Sequence, residues 1–200
     1  MTDKLYEYFN RTGNVWQTVG GTSLLGQTFT IGITGPNEQV NLRSIKLKCY
    51  RVGSIGDITV RLYDTIVFDP SDPWNRKLIT NEISSGTIDG DDVTIDNSGE
   101  WIEISMTSVD LQPETQYFFS VESDSQWLGL RQFENGGSGY SGGSAMYTTT
   151  GGLPAWNYAV LNNCDTLFEV WGVWNVDGPT SKSVSVSERV SPSVTATTYE

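Results

Sequence analysis

The stretch DGDDVTIDNSGE gathers Asp89, Asp91, Asp92 and Asp96 within a few residues. Loop carboxylates at such spacing suit calcium, a hard cation that takes oxygen ligands. The order is not that of an EF-hand, because Val93 stands where a third oxygen ligand is expected and Thr94 follows it in place of glycine. Turn chemistry and solubility are the plainer reading, and calcium is retained only as a structural ion; no other cofactor is required. Glycoside hydrolysis needs two carboxylates roughly 5 to 10 Å apart across a cleft. Glu103, Glu122 and Glu169 each alternate with apolar neighbours and fall at solvent-face parity, so a wetted sheet face explains them more simply than a catalytic pair. A hydrolase remains only as a cleft built from loop acids.

Histidine is absent, which removes the usual nucleophilic triads, the HExxH zinc sites and every histidine general base. The serines are left with a Ser-Lys arrangement alone, and the few lysines sit mostly at strand positions. The glycine-rich run YSGGSAMYTTTGGLPAWN has neither a GK[ST] signature nor a helical pattern after it, so it is not a phosphate cradle. Its glycines suit backbone turns and close sheet approach, with a pair of sheet segments around YSGGSAMYTTT, a turn at Gly151 and Gly152, and Trp156 on the return toward the final strand. Sugar binding by sandwich modules stacks a pyranose on an exposed aromatic ring. Trp74, Tyr140, Tyr147 and Trp156 lie in or beside expected loops and are the candidate glycan-binding residues. The competing reading is that these cover edges or neighbouring subunits while Trp101, Trp127 and Trp171 fill core or sheet surface.

These residues must be placed by a chain of 200 residues, 37% hydrophobic, with 24 acids against 12 basic residues and a net charge of -12. One core is adequate for such a chain. The charge repels nucleic-acid phosphates and anionic lipid surfaces, so neither is an expected partner. No apolar run approaches the roughly 18 residues of a membrane span, and MTDKLYEYFN lacks the apolar core of a signal peptide. The chain as given therefore reads as soluble. Two cysteines do not make a disulfide framework, and Cys49 shares the parity of Ile45 and Leu47, as expected of a buried free thiol.

Period-two alternation between Gly, Asn, Asp and Pro clusters predicts strands over 24–31, 42–52, 57–65, 101–106, 115–123, 127–133 and 166–172. Ile45, Leu47 and Cys49 should face the core and Lys46, Lys48 and Tyr50 the solvent; likewise Ile58, Val60 and Leu62 against Thr59, Arg61 and Tyr63. VGSIGD reads as a hairpin connection with Gly53 and Gly56 at positive φ. Residues 65–100 read as a long excursion with short edge strands. The expected fold is all-β, an antiparallel, jelly-roll-like β-sandwich over 14–174, with an N-terminal arm over 1–13 and an extended Ser/Thr/Val-rich C-terminal tail over 175–200. The tail cannot bury enough surface to order itself alone.

The succession GQTFTIG, LRSIKLKCYRVG, GDITVRLYDT, SSGTIDG, GEWIEISM, LQPETQYFFSVES, YSGGSAMY and LFEVWG resembles the choice-of-anchor R type of β-sandwich over residues 14 to 172. That family occurs on bacterial and archaeal surface proteins and in structural proteins of tailed phages and uncultured viruses. Cys49 stands where the pattern has an aliphatic residue, in keeping with burial, and TTTGGLPAWN replaces its Asp-Gly-Gly, polar residue and Trp. The resemblance implies a non-enzymatic module displayed on a virion or cell surface ahead of a Ser, Val and Pro-rich tail. The expected role is thus a structural or adhesive virion protein (capsid decoration, fibre or tail-associated) that docks to other virion subunits or to copies of itself. A carbohydrate-binding module for host or extracellular glycans is the alternative.

Overall fold

The computed structural model describes residues 2–21, 23–68, 77–125, 127–134, 139–148, 156–161 and 164–174, with backbone alone at 68, 77 and 156–160. It is all-β, two antiparallel sheets packed on one another. One sheet contains β1 (Lys4–Phe9), β2 (Val15–Val19), β4 (Val40–Arg51), β7 (Glu100–Ser105), β8 (Asp110–Leu111), β10 (Leu128–Glu134), β13 (Cys164–Thr166) and β14 (Phe168–Trp174). The other contains β3 (Leu24–Thr30), β5 (Asp57–Phe68), β6 (Lys77–Asp89), β9 (Gln116–Ser123), β11 (Ala145–Thr148) and β12 (Trp156–Val160), and it closes on itself in the order β11-β12-β6-β5-β9-β3. The seven strands read from the sequence all form. Closure of the second sheet was not foreseen.

β4 is the spine of the first sheet. β7 and β8 pair with one of its edges, while β14 and β10 share the other end to end. Ile45, Leu47 and Cys49 are fully buried, whereas Lys46, Lys48 and Tyr50 keep partial exposure on the outer face. Opposite them, Ile58, Val60 and Leu62 of β5 enter the same inter-sheet core. Each such side chain contributes about 1.5–3 kcal/mol on burial.

β3 and β9 are buried on both faces, which is why LLGQTFT and QYFFSVES read as apolar runs instead of clean alternations. Leu25, Phe29, Phe119 and Val121 join the inter-sheet core. Leu24, Tyr63, Ile79, Phe118 and Met146 form a second cluster within the closed sheet. Tyr63, expected on a wetted face, is thereby buried against Phe118, with ring centroids 6.0 Å apart.

Three other expectations are corrected. The arm over 1–13 contains β1, which pairs with β14 and buries Tyr6 and Phe9 in the core. The excursion after residue 65 is instead the continuation of β5 and the 13-residue β6, which lies between β5 and β12. A register shift between Leu62 and Tyr63, with Asn81 at φ 60, lets so long a pair bend around the ring. VGSIGD crosses from one sheet to the other and is no hairpin; Ile55 inserts into the core between the layers. Gly53 and Gly56 do take positive φ, 74 and 66.

Candidate functional site

Tyr140 is the first site residue the fold reassigns. It is only 5% exposed, its ring 5.3 Å from Phe168 and 6.0 Å from Phe9 by centroids, so it offers no face to a sugar. Its hydroxyl donates to Glu7 (3.0 Å), a fully buried carboxylate on β1. Glu7 also accepts from the backbone N–H groups of Gly32, Ile33 and Thr34, each at 3.0 Å, and from the Thr34 hydroxyl. The Tyr140 N–H donates to Asp165 (2.9 Å), which also accepts from the Gln27 amide (3.0 Å). Burial raises the pKa of Asp165 and of the Tyr140 phenol. Both carboxylates are committed to holding loops. A shallow cleft of about 250 Å³ lies above this network, between Asn10, Arg11, Thr34 and Ser141.

Tyr147 is 40% exposed on β11. Trp156 starts β12, with its backbone opposite Ile79 and its side chain outside the described residues; Trp74 lies wholly outside them. β11 and β12 pair, Met146 with Val160 and Tyr147 with Ala159, whereas Gly151 and Gly152, read as a turn, lie outside the described residues.

Three of the four aspartates hold turns. Asp89 caps the short 3-10 turn Gly90–Asp92 by accepting from Asp91 N (2.9 Å). Asp91 accepts from the Ser54 hydroxyl (2.5 Å) and Ile55 N (2.7 Å), and Asp96 accepts from Ser98 N (2.8 Å). These bonds hold both carboxyls below their usual range. Asp92 is exposed. Among the described residues no group of three or more His, Cys, Asp or Glu side chains is placed to hold a metal ion. The acids read as calcium ligands diverge here, because Asp91 is turned onto the crossover and Asp96 onto its own turn.

The three strand acids are paired. Glu103 accepts from Ser44 Oγ (2.7 Å) and faces Lys46 Nζ (3.2 Å), and the Ser44 bond leads in lowering its pKa. Glu169 accepts from Asn10 (3.1 Å) and Trp171 Nε1 (2.8 Å). Glu122 accepts from Arg61 Nε (3.0 Å), yet burial still raises its pKa, since it stands half-buried at a cleft of about 310 Å³ with Asp57, Thr59 and Asp124. Its sequence reading as a plainly solvated acid is thus too simple.

The surface feature the loop-centred reading missed is the outer face of the first sheet. Lys46 Nζ lies 4.6 Å from the Trp171 ring centre, and the Arg131 guanidinium 4.6 Å from that of Trp16. Trp16 meets Tyr50 edge-on with centroids 4.6 Å apart, and Lys48 is the cross-strand partner of Trp101, which is 37% exposed. The signal was present in the alternation of KLKCYR and WIEIS, which puts Lys46, Lys48, Tyr50, Trp101 and Glu103 on one wetted face.

The two ends of this sheet also differ. Lys4 pairs with Gly172 and Trp174 with Val40, so the first and last strands meet at one end. At the other end of β4, Val52, Ile95 and Trp127 are exposed on three segments tied by Arg51 N to Thr94 O and Val52 N to Trp127 O, each 2.9 Å.

No protein-family model matches the chain, and no curated protein matches it. Among the described residues no helix is long and apolar enough to cross a membrane.

Proposed function

We propose that this chain is a non-catalytic structural and adhesive module of a virion surface, docking to copies of itself through the segment that follows β14. The observation that carries this reading is the pairing of Lys4 with Gly172 beside that of Trp174 with Val40. Trp174, the last described residue, therefore lies at the end where β1 starts, and the far end of β4 is roughly 36 Å away at 3.3 Å per residue, free to face outward. The tail's SVSVSERV alternation suits strand addition. β1 and β7 each pair with one strand among the described residues, giving such a segment an edge to join.

A synthetic peptide of residues 175–200, added in excess to the full chain, should compete with the tail and reduce self-assembly measured by light scattering. Assembly unaffected by the peptide would count against docking by the tail. Hydrolysis of any polysaccharide, lost when a single acid is changed to its amide, would overturn the non-catalytic reading.

A further inference from the structure

The outer face of the eight-stranded sheet concentrates aromatic rings and cations on a chain whose net charge is -12. Trp16, Tyr50 and Trp101 come from β2, β4 and β7, and Lys48 and Arg131 stand among them. The rings are held in place by the backbone. Tyr50 occupies the space a side chain at Gly129 would take, 2.2 Å from that Cβ position, and Trp16 does the same at Gly99, 2.4 Å away. Arg131 is fixed by donating to Gly13 O and by lying over Trp16. Nearby acids are already engaged, Glu103 by Ser44 and Lys46 and Glu169 by Asn10 and Trp171. Lys48 has no carboxylate partner among the described residues, and Trp101 keeps 37% of its surface exposed.

We propose that this face binds a carboxylated pyranose, a uronic or sialic acid residue of a glycan, with the sugar ring stacked on Trp101 and its carboxylate taken by Lys48 with Arg131. Aromatic faces supply the stacking surface, and a fixed guanidinium and an unpaired ammonium supply charge-assisted hydrogen bonds. Charge complementarity selects the ligand: the patch is locally cationic, and a single carboxylate per sugar meets it without the dense charge of a nucleic acid. At physiological salt the screening length of about 8 Å mutes the acids elsewhere on the surface. A fully neutral sugar would leave the unpaired Lys48 without its counter-charge. The site differs from the loop aromatics read from the sequence, and it rests on the proposed role as an outward-facing module.

The test uses the full chain, with tryptophan fluorescence and calorimetric titration against sialyllactose, trigalacturonate and lactose. Saturable binding of either acidic sugar, weakened by salt and at least tenfold tighter than lactose, is expected. The two acidic probes distinguish the sialate from the uronate source. Trp101→Ala and Lys48→Glu should each weaken binding at least tenfold with an unchanged melting curve, and Lys48→Arg should retain it. Equal binding of lactose, or no binding of either acidic sugar at millimolar concentration, would overturn the proposal. So would a salt-sensitive dimer abolished by Lys48→Glu, which would make a second copy the occupant. Loss of tail-dependent assembly with sugar binding intact would strike the docking reading alone.

Discussion

The Tyr140 hydroxyl stands 3.0 Å from Oε1 of Glu7, joining residues 133 positions apart inside the core. The bond ties the glycine-rich stretch to the first strand, and through Glu7 it reaches the turn at Gly32–Thr34. Tyr140→Phe should lower unfolding free energy by about 1–3 kcal/mol, the cost of removing one partner from a buried hydrogen bond. Glu7→Ala should cost about 3 kcal/mol or more, because it strands several buried donors. Urea denaturation with a common m-value checks both; a neutral Glu7→Ala would deny the network its structural role.

Gly26→Ala should destabilise by about 1–3 kcal/mol through overpacking. Its Cβ would fall 2.2 Å from Phe118 Cζ and 2.4 Å from the Phe119 carbonyl, so β3 and β9 would have to separate. A lowered urea midpoint is the expected result, accompanied by a changed near-ultraviolet spectrum from the aromatic cluster.

Glu103 titrates below the ordinary glutamate value of 4.5, first because Ser44 donates to it and then because Lys46 lies beside it. A lowered folded pKa stabilises the fold above pH 4.5, and that contribution is lost as pH falls through the folded value. Glu103→Gln should therefore flatten the acid limb of a melting-temperature profile by lowering the region above pH 4.5, while leaving the most acid end, below the folded value, little changed. The side chain is about half exposed, so the effect stays below about 1 kcal/mol.

Both cysteines are free, Cys49 buried in the core and Cys164 half-buried with its thiol 2.9 Å from the Gln132 amide oxygen. Burial raises the Cys49 pKa and pushes Cys164 up to about 11. In the native protein, iodoacetamide should label Cys164 faster as pH rises toward 10 and leave Cys49 unlabelled until urea unfolds the chain. Peptide mapping by mass spectrometry reads both sites separately.

What was legible in the sequence follows from how local each cause is. The alternation in β4 and β7 depends on neighbouring residues, so Cys49 was readable as buried and Lys46, Lys48 and Tyr50 as outward. Tyr140 was misread because its partner Glu7 lies on a strand far away in sequence, within a segment taken for an arm. Tyr63 was misread because the closed sheet covers its face, packing it with Leu24, Ile79, Phe118 and Met146, which simple parity does not record. Ring closure depends on β3 meeting β11, which no local pattern records. The aromatic face was written in the pattern all along. Its rings lie on strands, outside the loops where glycan-stacking residues were expected.

The central claim is tested most directly by sedimentation velocity on the full chain beside residues 1–178, with thermal melting of each. The account predicts that the full chain assembles, while the shortened chain sediments as a monomer and melts at an unchanged temperature. Equal assembly of both, or a shortened chain that no longer folds, would contradict a tail that docks outside its own domain.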